Sequence, residues 1–316
     1  DIRIRKVLEK ALDKADYVIH LAAYGGFTHE LIKYIKVNSI GTASIFEIIR
    51  EKRLKIKKVV VASSQAIYGE GKYICGIHGI IEPDLRSIKQ LETGLWEQRC
   101  SSCSKVLVPA ATDESKKADP GTMYSITKFS QETMTIRIGR TFSVPTVALR
   151  FAVTYGPRQS IFNPYTGVIS IFSTRILNNL SPVIYEDGQQ TRDFIFVEDV
   201  ARAIFLVSQT TKANYQVFNV STNRQTKMLE LVDLLNKTYQ TDVKPVLNGE
   251  FRPGEVRHLF LDNTKLVKLG WKPEVRLEDG VKEYVEWIKT QGEVGEYWTK
   301  AYEIMKKNRV VMRAKK

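Results

Sequence analysis

Long apolar runs are what this chain most plainly lacks. None approaches the ~18 residues that a bilayer-spanning helix needs, so a helical membrane protein is excluded and no membrane partner is expected. Cysteine is nearly as scarce. Three in 316 residues cannot build a disulfide framework, and a chain of this length buries enough core not to need one. The opening residues, DIRIRKVLEK, are charged and amphipathic and do not resemble a secretory signal. A reducing cytoplasm is the expected setting. Acidic residues are also outnumbered, 35 Asp+Glu against 48 Lys+Arg, which leaves a formal charge of +13. Such a surplus draws anions, either nucleic acid or small phosphate ligands. The one concentrated basic stretch, KKNRVVMRAKK at 306–316, has no interleaved aromatics, and this speaks against nucleic acid.

What is present is an ordinary globular composition, 43% hydrophobic and 26% charged, in which strand-like and helix-like patterns alternate. RKVLEKALDKA sets Val7, Leu8, Ala11 and Leu12 at helical spacing. DYVIHLAA (16–23) reads as a short buried strand, residues 29–53 as a long helical stretch, and the valine-rich KKVVVASS (57–64) as a strand covered on both faces. PTVALRFAVTYG (145–156) is another buried strand. This alternation predicts an α/β fold with a doubly wound parallel sheet. Beyond residue 158 the helical stretches TGVISIFSTRILNNL, EDVARAIFLVSQ, KMLELVDLLNKTY and EDGVKEYVEWIK, with the strand SPVIYEDG, predict a smaller α/β lobe. The expected division is a sheet domain over 1–158 with an insertion at 70–112 and a second lobe over 159–300. Residues 190–220 of that lobe return to the sheet, and 301–316 form a basic tail.

In MYSITKFSQE (123–132), Tyr124 stands four positions before Lys128, so on a helix the two share one face. An ammonium beside a phenol favours the phenolate, although a surface Tyr and Lys would look the same in sequence. Ligands of open parallel sheets bind beyond the carboxyl ends of the strands. Three segments end there with small or polar groups: HLAA (20–23), SSQAIYG (63–69) and RFAVTYGP (150–157).

Together with YSITK, these segments resemble the extended short-chain dehydrogenase/reductase family, in particular its NAD-dependent sugar-nucleotide epimerases and dehydratases. QTRDFIFVEDVARA and RPGEVRHLFLDNTKLVKLGWKP resemble that family's substrate-lobe motifs, so the likeness runs over almost the whole chain. The resemblance implies a Rossmann-type fold and Tyr124 as catalytic base and acid. Lys128 would hold the nicotinamide ribose and lower the phenol's pKa, and Ser64 would bond the reacting sugar oxygen. A free phenol titrates near ~10, so work near neutrality needs a shift of roughly three units, about 4 kcal/mol. Leu21, Ala22, Ala23, Asn38, Ser63 and Phe151, with Tyr124 and Lys128, are the implied NAD-lining residues, Asn38 as a brace of the cofactor loop. Arg192 and Arg252 would grip a nucleotide diphosphate, a task suited to bidentate guanidinium forks. Asn163 is a further implied contact of the nucleotide-diphosphate sugar. A homodimer through a bundle that includes the Tyr124 helix is also implied.

Family dehydratases follow the catalytic hydroxyl residue with an Asp-Glu pair, because eliminating water needs an acid and a base. Gln65 and Ala66 stand at those positions and serve neither role. This points to 4-epimerisation; decarboxylation, which needs no such pair, stays open.

Between Ser64 and Tyr124 lies a segment longer than the family pattern requires. It holds CGIH (75–78) and CSSC (100–103), and with them all three cysteines of the chain. Cys75, His78, Cys100 and Cys103 form a Cys₃His set suited to tetrahedral, structural Zn²⁺ in a zinc-ribbon-like loop. Such an insert resembles that of dTDP-L-rhamnose 4-epimerase-like members. His29 and His258 have no such company and read as solvent-facing or helix-end histidines. The chain departs from the family in two places. No G-x-x-G-x-x-G turn follows a strand, so either the sequence is a fragment of a longer chain or the nucleotide lobe is itself incomplete, and Val153 stands where an asparagine is common. A catalytically silent scaffold of the same fold is therefore the competing reading.

Overall fold

The computed structural model describes residues 1–26, 30–165 and 167–315; His29 lies outside them. Helix α1 (Arg5–Leu12) turns Leu8 and Leu12 inward and leads to strand β1 (Tyr17–His20). The expected long helix is composite. A single turn, α2 (Leu31–Tyr34), passes through a π-helical segment, Ile35–Ile40, into α3 (Gly41–Glu51). A π segment re-aims side chains and is frequent at functional sites; this one carries the fully buried Asn38. Strand β2 (Lys58–Ser64) is buried along its whole length, as a valine-rich run covered on both faces should be. Each buried valine contributes about 1.5–3 kcal/mol relative to exposure.

The chain leaves the sheet at Gly69. Its φ is +63°, and a Cβ there would come within 2.3 Å of the Asp119 carbonyl oxygen, so only glycine makes this exit. The insertion follows: β3 (Lys72–Cys75), β4 (Gly79–Ile81), helix α4 (Ile88–Glu92) and β5 (Val108–Ala110). Its strands form an antiparallel sheet in the order β4-β3-β5, with Tyr73, Cys75, Cys100 and Leu107 as its own small core. Helix α5 (Met123–Thr141) then packs against the main sheet, which continues with β6 (Thr146–Phe151). A short β7 (Val153–Tyr155) follows, then α6 (Val168–Leu177), β8 (Val183–Ile184), β9 (Thr191–Arg192) and β10 (Phe194–Phe196). Helix α7 (Val197–Gln209) leads into β11 (Gln216–Val220).

The main sheet has the order β1-β2-β6-β11, parallel throughout. Helix α8 (Met228–Tyr239), α6 and the helix Leu277–Lys289 enclose a second core around Phe172, Leu231, Val281 and Tyr284. The basic stretch expected from residue 301 onward carries regular structure over its described residues. The helix Trp298–Lys307 buries Trp298, Ala301 and Met305, and the strand Met312–Arg313 pairs antiparallel with Glu250–Phe251. The helical spacing of those apolar residues outweighs the surrounding charge. Among the described residues, no helix is long and apolar enough to cross a membrane.

Candidate active site

The start of α5 is fixed by a reciprocal cap. The Thr122 hydroxyl accepts from the Ser125 amide at 3.2 Å, and the Ser125 hydroxyl accepts from the Thr122 amide at 2.9 Å. Tyr124 therefore falls in the first turn. Below it, the buried face of α5 is polar rather than apolar: Ser125, Thr127, Lys128, Gln131, Glu132 and Thr135. Ser64 ends β2, with its side chain accepting from the Ala66 amide at 3.1 Å, and it also reaches the Tyr124 phenol. Gly25 of the loop after β1 lies against the Tyr124 ring, where a Cβ would stand 3.2 Å from Cε2. Tyr124 keeps an open edge, but most of its phenol is desolvated. Burial raises its pKa, and the Ser64 hydrogen bond opposes the rise. The lowering expected from Lys128 is not seen, because that amine is buried too and is itself pushed down to about 8. The Lys128 ammonium forms no hydrogen bond among the described residues; its electrostatic neighbour is Glu132.

Leu21, Ala22 and Ala23 lie exposed at the carboxyl end of β1. The loop they open is clamped by Asn38. Its amide oxygen accepts from the Tyr24 backbone at 2.6 Å, and its nitrogen donates to the Tyr24 carbonyl and to the Thr127 hydroxyl at 3.0 and 2.9 Å. Asn38 thus ties the loop to the helix that bears Tyr124. Beside it, His20, Thr42 and Gln131 are mutually hydrogen-bonded, and burial holds His20 neutral with a pKa down to about 4.

Beneath these groups a buried polar chain crosses the sheet. The Ser63 hydroxyl donates to Glu132 at 2.6 Å, Glu132 takes two bonds from Arg150, and Arg150 donates to the Tyr68 hydroxyl at 2.7 Å. Tyr68 donates in turn to Asn219 at 2.8 Å. Ser63, Arg150 and Asn219 are register neighbours on β2, β6 and β11. Phe151 is half-buried at the end of β6. Val153, the other departure from the family pattern, pairs with Phe194 and packs against the second core.

The two arginines converge on one carboxylate. Arg252 holds Glu255 through Nε and Nη2, at 2.5 and 2.8 Å, and lies over the Tyr185 ring. Arg192 reaches Glu255 at 3.2 Å and also the carbonyls of Thr191, Val256 and Arg257. Asn163 accepts from the Tyr165 amide at 3.0 Å. His258 is not solvent-facing: it is buried, with Nδ1 at 3.0 Å from the Thr191 hydroxyl and Nε2 at 3.1 Å from Glu97.

In the insertion, the donor atoms of Cys75, His78, Cys100 and Cys103 all lie within 4.8 Å of one another. The Cys75 sulfur is 3.5 Å from His78 Nδ1 and 3.6 Å from the Cys103 sulfur, and the Cys100 sulfur is 3.3 Å from Nδ1. Tetrahedral Zn²⁺ at about 2.3 Å from sulfur would space its ligands by about 3.8 Å, so the cage is of the right size. Amides of Ile77 and His78 donate to Cys75 and hold that thiol down to about 6, as a thiolate ligand requires.

Two family models account for most of the chain. GDP-mannose 4,6 dehydratase matches residues 106–284, and the NAD dependent epimerase/dehydratase family matches residues 1–85. A dTDP-L-rhamnose 4-epimerase of Burkholderia thailandensis is 31% identical over 277 residues, covering 86% of this chain and 75% of that one. The chain belongs to the NAD-dependent epimerase/dehydratase family. Solved family structures share its Rossmann-type fold. A Thermotoga maritima UDP-glucose 4-epimerase with UDP-glucose aligns with a TM-score of 0.74 at 29% identity, over 93% of this chain and 84% of that one. A Methanobrevibacter ruminantium UDP-N-acetylglucosamine 4-epimerase in complex with UDP-N-acetylmuramic acid aligns at 0.71 and 30%, over 90% and 80%. The expected family and fold are thus borne out.

Within this epimerase/dehydratase frame, sequence reasoning missed Glu132, Arg150, Tyr68 and Asn219, whose buried chain ties α5 to the sheet. A local signal for Glu132 existed: it continues the Tyr124–Lys128 spacing by one more turn. Arg86, Glu186 and Arg257, buried at the edge of the insertion, gave no local signal, because each finds its partners far away in the chain.

Proposed function

We propose that the chain catalyses NAD-dependent 4-epimerisation of a nucleotide-diphosphate sugar through a 4-keto intermediate. The observation that carries this reading is the meeting of Ser64 and Tyr124 at the carboxyl edge of the sheet, with the unbonded Lys128 ammonium one helical turn away. The surroundings fit NAD. Exposed Leu21–Ala23, the braced loop and Lys128 would hold the nicotinamide half, with Ser63 and Phe151 at the ends of β2 and β6. Bound NAD would supply the hydride acceptor and donor. Tyr124 takes the proton of the sugar 4-hydroxyl and later returns it to the same oxygen, once the ketosugar has turned its opposite face toward the nicotinamide side. Ser64 hydrogen-bonds the same oxygen in both half-reactions. The rotating sugar is tethered by its diphosphate on Arg192 and Arg252, with Asn163 nearby. Gln65 is buried with its amide oxygen unbonded, and neither it nor Ala66 can carry the proton transfers of water elimination. This favours epimerisation over dehydration.

The Cys₃His cage fits one structural Zn²⁺, held by Cys75, His78, Cys100 and Cys103, whose role is to fold the insertion. Free thiols in all three cysteines agree with a reducing cytoplasm. A homodimer agrees with the exposed Ile32, Ile35 and Ile126 on neighbouring turns of α2, the π segment and α5.

The test is turnover of dTDP-, UDP- and GDP-hexoses with NAD, followed by proton NMR, beginning with dTDP-L-rhamnose because a relative bears that activity. The 4-epimer is the expected product. A 4-keto-6-deoxy product would make the chain a dehydratase, and absence of both turnover and NAD binding would leave the scaffold reading. Metal analysis of the same preparation should give close to one zinc per chain.

A further inference from the structure

The insertion does more than sit beside the second lobe; buried charge locks it there. Arg86, without solvent exposure, donates twice to the Glu186 carboxylate at 2.8 and 3.0 Å, and also to the carbonyls of Trp96 and Glu255. Arg257, equally buried, shares Glu186 at 2.8 Å and adds bonds to Asp187 and Glu97. Glu70, at the mouth of the insertion, accepts from the backbone amides of Arg257 and His258 at 2.9 and 3.2 Å. Its carboxylate is held by the Tyr73 hydroxyl at 2.8 Å and the Gln98 amide at 3.0 Å. Tyr73 lies two residues before Cys75, and Gln98 two residues before Cys100, so both holders of Glu70 sit beside the Cys/His pairs of the insertion.

Residues 255–258 are the segment on which the two substrate arginines rest. Arg192 bonds the Val256 and Arg257 carbonyls, and both guanidiniums converge on Glu255. Glu186 carries a further mark. Its φ is +58°, a conformation that costs a non-glycine residue roughly 1–2 kcal/mol. Relieving that strain with glycine would remove the carboxylate that joins Arg86 to Arg257.

We propose that the insertion is a positioning element for the nucleotide diphosphate: Arg86, Glu186 and Glu70 fix residues 255–258 and thereby the Arg192–Arg252 pair. The inference rests on the reading of those two arginines as diphosphate ligands. It makes the metal cage part of substrate recognition although it touches no substrate.

UDP and dTDP are titrated by calorimetry into the purified chain, wild type beside Arg86→Met, Arg86→Lys and Glu186→Gly, and kcat and KM are measured for the sugar that is turned over. In Arg86→Met, nucleotide Kd and sugar KM rise about tenfold, equivalent to about 1.4 kcal/mol. Its kcat stays within about twofold, the mark of lost uniform binding. Arg86→Lys recovers part of the affinity, because one ammonium replaces only part of a guanidinium fork. Glu186→Gly weakens nucleotide binding despite its relaxed backbone. Unchanged Kd in folded Arg86→Met and Glu186→Gly overturns the proposal, as does a fall of kcat that matches the rise in KM. If Arg86→Met fails to fold, the other two variants decide. A wild-type chain that binds neither UDP nor dTDP overturns the diphosphate reading itself, and the positioning role with it.

Discussion

Lys128 and Arg86 are both buried cations, and the molecule treats them in opposite ways. Both terminal nitrogens of Arg86 are engaged, by one carboxylate and two carbonyls, and Nε, without a hydrogen bond among the described residues, lies 4.0 Å from the Glu70 carboxylate, so the guanidinium is spent on fixing geometry. Lys128 is almost as deeply buried, yet burial lowers its pKa to about 8, the Glu132 charge opposes the fall only in part, and among the described residues no hydrogen bond compensates. An uncompensated buried charge is costly, and such a cost is kept where a ligand completes the site. Charge at the insertion edge therefore builds structure, and the Lys128 charge on α5 is the one that the proposed chemistry would use.

The largest effect should come from the reacting end of α5. Tyr124→Phe removes the proton carrier alone and should lower turnover by up to about 10⁴-fold, roughly 5 kcal/mol, with the melting curve unchanged. Retained turnover would place the chemistry elsewhere. Next comes the support beneath it. Arg150→Met strips the partner from buried Glu132 and should cost about 3–5 kcal/mol in urea unfolding; a loss below ~1 kcal/mol would mean that the Ser63–Glu132–Arg150 chain is not a support.

The smallest effect concerns His20, whose facing groups are Thr42, Gln131 and the Lys128 charge. Its folded pKa, about 4, lies below the unfolded value near 6.5, so the unfolded chain binds the extra proton between them. The contribution of neutral His20 is whole above pH ~6.5 and is lost as pH falls toward 4, up to about 3 kcal/mol. The stability of His20→Asn should be flatter across that window than that of wild type. Parallel curves for the two proteins would show that His20 titrates normally in the fold.

Much of the fold was legible because its signals are local. The apolar runs of β2 and β6 declared buried parallel strands, and Tyr124 and Lys128 share a helix face whatever the helix packs against. The C₃H spacing of the insertion was equally local. Near the C-terminus, charges at 299–307 hide Trp298, Ala301 and Met305 at helical spacing, so that helix was not legible. His258 was misread because both of its partners, Thr191 and Glu97, lie far away in the chain.

By itself the sequence determined the strand–helix order, the cap that begins α5 and the two short pairs Cys75-x₂-His78 and Cys100-x₂-Cys103. Each of these depends on backbone preference or on neighbours within a few positions, interactions that do not need the rest of the molecule. Only the tertiary structure decided that Ser64 reaches Tyr124, that Arg192 joins the local Arg252–Glu255 pair, and that Arg86 and Arg257 share Glu186. Those contacts join residues tens of positions apart, and desolvation sets their strengths and pKa values, which exists only once the lobes have closed around them.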